Sequence, residues 1–210
     1  MKKGSKIREM VSFGIPQPVW THSGYAVLYA LPAVLITYQI RRGRLTPRAL
    51  YAWAGVEFGM SCVFEITGIN IGTYTYWGPH VLRVFHYPLV IGALEAAQTI
   101  CFAVAASQLR QRTTSRWALL GLFVLFPATF FGANFGAGSA VIVAIHAAHV
   151  SQVAVYLCTL LSIVFAVTLV RFAAAFVPGS DLVAAADRGV PSERHRASSS
   201  PRTMAARHRA

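Results

Sequence analysis

Three carboxylic acids stand where a carboxylate is costly. Glu57, Glu65 and Glu95 each lie inside a long apolar run, whereas Glu9, Asp181, Asp187 and Glu193 fall toward the ends of the chain. No Lys or Arg shares those apolar runs. A carboxyl group removed from water favours its neutral form, and in that form it can act as an acid near pH 7. Gln98 and Thr99 share a helical face with Glu95. Further along, His146, His149, Gln152, Tyr156, Thr159 and Ser162 follow three- and four-residue steps and predict one polar stripe on a last helix. His146-Ala-Ala-His149 could join Glu65, Glu95 and His86 around a metal ion. A histidine pair more often hydrogen-bonds or titrates, and no His-Glu-x-x-His pattern is present, so no metal is expected. Cys62, Cys101 and Cys158 are far apart and read as small packing residues.

The elements that must position these groups are apolar helices. Of the 210 residues 55% are hydrophobic and 12% charged, against roughly 25% charged in a soluble chain. The mean hydropathy is +0.52. This composition excludes a disordered chain, a coiled coil and a disulfide scaffold. It predicts an all-α integral membrane bundle of about five spans. The spans are expected at 25–40, 49–68, 86–107, 117–131 and within 139–170. As one helix the last would be roughly 48 Å long, beyond the ~30 Å hydrocarbon core. It must therefore tilt, or begin with an interfacial or re-entrant piece before a span nearer 150–170. Gly-x-x-x-Gly occurs at Gly55/Gly59, Gly68/Gly72 and Gly132/Gly136, a spacing that permits close helix contact.

The charge pattern orients the bundle. There are 19 Lys and Arg against 7 Asp and Glu. The basic residues sit in the gaps between apolar runs and in the tail, which fits the positive-inside rule and not a nucleic-acid surface. Arg41, Arg42, Arg44 and Arg48 follow the first span, Arg110, Arg112 and Arg116 the third. Both loops and the C-terminal tail fall on one side, expected to be cytoplasmic, and outvote Lys2, Lys3, Lys6 and Arg8 on the other. No cleavable leader is expected, since Glu9 to Trp20 has no continuous apolar core. Residues 1–21 read as a tail, 22–171 as the membrane domain, and 172–210 as a mostly disordered, Arg/Ser/Ala-rich tail. The expected location is the plasma membrane of a bacterium, and the preference for Arg, 16 against 3 Lys, with abundant Ala suggests a GC-rich genome. In this topology Glu65 lies ~5 Å and Glu95 ~13 Å below the outer boundary. Intramembrane polar groups thus gather toward the outer leaflet, as a cavity open on that side requires. The Gln, Ser and Thr residues read as interhelical glue. Glu65 and Glu95 read as functional, because a buried carboxyl is a costly way to hold helices together.

The densest local pattern runs from Phe64 to Pro88: Glu65-x-x-Gly68, then Gly72-x-Tyr74-x-Tyr76-Trp77, then His86-Tyr87-Pro88 opening the next span. This stretch resembles the carotenoid-biosynthesis membrane proteins that hydrate acyclic carotenoid ends. A membrane Glu on the second span is also similar to the small integral-membrane terpene cyclases of meroterpenoid and indole-terpenoid pathways. The resemblance covers about 25 residues around Glu65. The cyclase pattern has a second acid on a late span, where this chain offers only His146 and His149.

Both resemblances imply one chemistry: a carboxylic acid protonates an isoprenoid, and the cation is quenched by an internal alkene or by water. On the residues alone, Glu65 is the expected acid, with Glu95 and His149 as further catalytic candidates. Asn70, Tyr74, Tyr76, Trp77, His86 and His146 are the expected substrate contacts, aromatic rings serving a cation. Trp77 and Tyr87 read first as an interfacial belt, and Tyr74 and Tyr76 read equally as belt or as cation contacts. No nucleotide fingerprint is present and no cofactor is expected. The expected partners are a lipophilic isoprenoid and membrane lipid. Two other readings remain open at this level, a proton-coupled carrier and a non-enzymatic membrane scaffold.

Overall fold

A computed structural model describes residues 9–12 and 15–177, with side chains from Ser23 onward. The N-terminal basic cluster and the Arg/Ser/Ala-rich stretch after Asp181 lie outside the described residues. Strands β1 (Glu9–Ser12) and β2 (Ile15–Pro18) pair antiparallel and lead into α1 (Val19–Arg41), which starts before the expected Tyr25. Gly43, with φ +63°, turns the chain after Arg41. Thr46 then caps α2 (Pro47–Asn70): its hydroxyl accepts from the Ala49 amide at 3.2 Å, and Pro47 supplies a preset φ at the first turn.

A connector follows, with a minimal hairpin of β3 (Arg83–Val84) and β4 (Tyr87–Pro88). Its two-residue loop is Phe85-His86, both at positive φ, 46° and 69°. That is the backbone of the mirror-image turns that suit a twisted hairpin, built here without glycine. Next come α3 (Leu89–Arg112), a 3₁₀ turn (Arg116–Leu120), α4 (Gly121–Phe131), a π-helical turn (Gly132–Ala137), α5 (Ser139–His146) and α6 (Gln152–Ala174). The last apolar stretch is thus a short helix followed by a span, the second of the two expected forms. Ser151 caps α6 by accepting from the Ala154 amide, which fixes the break. The final helix runs on to Ala174, past the expected boundary at Arg171.

The all-α membrane bundle is the fold observed. By length and composition, four described segments can cross a bilayer: 23–41, 89–112, 116–137 and 152–174. The fifth expected span, α2, is equally long but carries Glu57 and Glu65 and does not meet that composition. α3 is the central helix. Of its membrane-length window 61% is buried, against 28% for α1 and α6 and 6% for 116–137. Ile36, Leu50, Val90, Leu94, Ile100, Val141 and Val170 form the apolar core. The largest exposed side chains, Trp117, Phe123, Val124 and Leu157 among them, lie on the outward faces. That arrangement is what lipid as a solvent requires.

The glycine pattern does not act throughout as expected. A Cβ at Gly55, Gly59 or Gly132 would meet nothing within 4 Å, so these are not helix contacts. At Gly68 it would lie 2.7 Å from the Tyr74 hydroxyl, and there the lack of a side chain makes room for part of the site.

Candidate functional site

On α2, Glu57, Ser61 and Glu65 fall at four-residue intervals and all are fully buried. Their face meets α3, where Glu95 and Thr99 repeat the same interval. The partners of the three acids are hydroxyl groups.

Glu65 receives three phenols. Tyr25 of α1 donates to Oε1, and Tyr74 and Tyr76 of the connector both donate to Oε2, each at 2.7 Å. The Gly-x-Tyr-x-Tyr run sets the two rings edge to face with centres 6.1 Å apart, both hydroxyls on the same carboxyl oxygen. Glu95 accepts from Tyr29 of α1 at 2.7 Å on Oε1, and Ser61 hydrogen-bonds its Oε2. Ser61 in turn bonds the Tyr87 hydroxyl at 2.9 Å. The two clusters touch: Tyr25 stacks on Tyr29 with ring centres 5.9 Å apart, and Tyr76 meets Tyr87 edge-on at 5.7 Å. Glu57 is separate. It accepts from Thr99 at 3.0 Å, and its second oxygen has no hydrogen-bond partner.

Burial, followed by the nearby Glu65, pushes the Tyr74 and Tyr76 hydroxyls well above the usual tyrosine range. Burial, then Glu95, does the same to Tyr87. All three therefore stay protonated.

One cavity of about 450 Å³ reaches this network. Its wall holds Tyr25, Tyr29, His80, Glu95, Asn134 and Phe130 among apolar residues of α3 and α5. Glu95, not Glu65, is the acid in the wall; Glu65 stands behind Tyr25. His80 contributes an imidazole whose Nδ1 is buried without a hydrogen-bond partner. Burial, then Arg83, holds it below the usual histidine range, so it is neutral at pH 7. Arg83 is itself held by the Gly78 carbonyl at 2.6 Å. The π-helical turn brings in Asn134, whose amide donates to Gln98 Oε1 at 3.0 Å and to the Phe130 carbonyl at 3.1 Å. A second, apolar groove of about 800 Å³ lies between α1 and α4 and shares Tyr25, Tyr29 and Phe130 with the first.

Of the expected residues, Glu65, Glu95, Tyr74 and Tyr76 come together. The others do not join them. His149 lies exposed in the 147–151 break, and His146 is exposed at the end of α5 with Nδ1 on the Ile142 carbonyl. The break divides the expected polar stripe, of which Thr159 and Ser162 are buried while Gln152 and Tyr156 are exposed. Asn70 is exposed, Trp77 is 83% exposed, and His86 is spent on the hairpin turn. Among the described residues no three His, Cys, Asp or Glu side chains group to hold a metal ion.

Sequence reasoning missed Tyr25, Tyr29, Ser61 and His80. The only signals available were the i, i+4 tyrosines of α1 and the position of Ser61 midway between two glutamates. Comparison with known proteins finds no family model, no curated protein and no solved structure that matches the chain.

Proposed function

We propose that the protein is a membrane enzyme that modifies a lipophilic isoprenoid by proton transfer from a buried carboxylic acid, as a cyclase or a hydratase. One observation carries the reading: an acid-bearing chamber walled by aromatic rings, three of which also line an apolar groove between two helices. A substrate dissolved in the bilayer enters through the groove and brings an alkene to Glu95.

Glu95 gives its proton to one alkene carbon. The π electron pair forms the new C–H bond and leaves a cation on the neighbouring carbon. The rings of Tyr25, Tyr29 and Phe130 face that charge. An internal alkene then forms a C–C bond and loses a proton, or water adds and loses one. His80, neutral and in the same wall, accepts that proton. Tyr29 and Ser61 hold the Glu95 carboxyl in place, and the phenols on Glu65 buttress Tyr25. The arginine-bearing helix ends, with Arg41 and Arg110 lining one cleft, face the cytoplasm in this reading, in a bacterial plasma membrane.

Product analysis of membranes fed prenylated and carotenoid substrates tests it. An isomer of unchanged mass marks a cyclase, and a gain of one water a hydratase. Glu95→Gln is expected to lower turnover by about 10²–10⁴-fold, the usual contribution of a positioned acid. Full activity in that variant overturns the role of Glu95, and loss confined to Glu65→Gln returns it to Glu65 acting through Tyr25. If no substrate is altered, proton flux in proteoliposomes decides for the carrier reading.

A further inference from the structure

A third cavity, of about 470 Å³, lies at the arginine end of the bundle between α3, α4 and α6. It shares no lining residue with the acid chamber or with the α1–α4 groove. Small side chains leave it open: Ala105, Ala128, Ala133 and Ala173 stand where larger residues would fill it, and Gly132 adds none. Along α3 it extends from Cys101 to Arg112. At 1.5 Å per residue that is ~16 Å, the depth of one leaflet of a ~30 Å hydrocarbon core.

Its polar groups are few and mostly engaged. Thr129 donates back to the Leu125 and Phe126 carbonyls, and Gln108 donates to the Phe176 carbonyl. Cys101 donates to the Leu169 carbonyl at 3.8 Å, and the remaining polar group is the Arg112 guanidinium, exposed at the open end.

We propose that this cavity binds one anionic phospholipid of the bilayer, with an acyl chain along α3 and its phosphate on Arg112. An apolar slot of leaflet depth that ends in a single unspent cation matches a chain joined to an anion. A zwitterionic lipid satisfies the slot equally but gains less from the cation. The site is independent of the proposed reaction, because it reaches none of the chamber residues.

The test measures lipid carried by the purified full chain, by native mass spectrometry after exchange into equal phosphatidylglycerol and phosphatidylcholine. Wild type is expected to retain one phosphatidylglycerol in clear preference. Arg112→Gln should lower that preference about five-fold, the worth of one basic residue at an anionic lipid surface. Gly132→Leu, whose new side chain would enter open space, should lower retention of both lipids while the protein stays folded. Arg44→Gln, exposed after α1 and outside the cavity, should change neither. Equal loss in Arg44→Gln and Arg112→Gln overturns the site in favour of general surface charge. Unchanged retention in Gly132→Leu overturns it as well.

Discussion

Tyr25 and His80 separate the two jobs that residues do in this site. Tyr25 has its hydroxyl on Glu65 and its ring in the chamber wall. Tyr25→Phe keeps the ring and removes the donor, leaving one buried carboxyl oxygen without its partner. The expected loss is about 1–3 kcal/mol of stability, readable by thermal unfolding in detergent, with product identity unchanged. His80 acts through its protonation state. Its folded value lies below the ordinary 6.5 because burial and Arg83 disfavour the imidazolium. Tyr76, edge-on at 6.4 Å, His146 of α5 and Glu95 across the shared chamber complete its titratable surroundings. As pH falls through that ordinary value the unfolded chain takes up a proton first, so stability begins to fall while His80 in the folded protein is still neutral. Turnover should therefore persist below the normal histidine range and fail only at lower pH. His80→Gln should remove that acid limb from the profile as well as slow the reaction; an unchanged limb assigns it to another group.

At the scale of elements, α2 and the connector after it hold the Glu65 cluster together, and Gly68 leaves the room for Tyr74. Gly68→Ala would drive a methyl into the Tyr74 hydroxyl and should displace it from Glu65, lowering turnover. Gly59→Ala lies on the same helix with nothing within 4 Å of its Cβ. It should stabilise α2 by roughly 0.5–1 kcal/mol from the lost flexibility of glycine, with turnover unchanged. Paired melting curves and activities check both. The elements were legible where the signal is local. Arg clusters ended α1 and α3. The polar stripe on the last helix failed because periodicity is blind to a break. Ser151, a helix-opening residue inside an apolar run, was the available sign.

For the whole molecule, the bundle followed from composition, and the interior position of Glu65 and Glu95 from their place inside apolar runs. The tyrosines of α1 did not follow. Which helix lies beside α2 is a tertiary fact, and two tyrosines in an apolar helix read equally as an interfacial belt. Everything assigned a role here lies before residue 178. Truncation after Asp181 should therefore leave product formation and lipid retention unchanged. A scaffold whose working part is the basic tail would lose its function with the same truncation, which separates it from an enzyme in one experiment.

The π-helical turn at Gly132–Ala137 has a consequence for how such sequences are aligned. Its amide-to-carbonyl bond from Gly138 reaches back five residues to Ala133, one more than an α-helix uses. The chain thus holds a surplus residue at the point where Asn134 enters the chamber wall. A version one residue shorter here could close as unbroken α-helix with the flanking segments left in register. It would keep the hydrophobic profile and lose the amide from the wall. Gap placement between Gly132 and Gly138, rather than overall similarity, would then mark which related chains share this chamber.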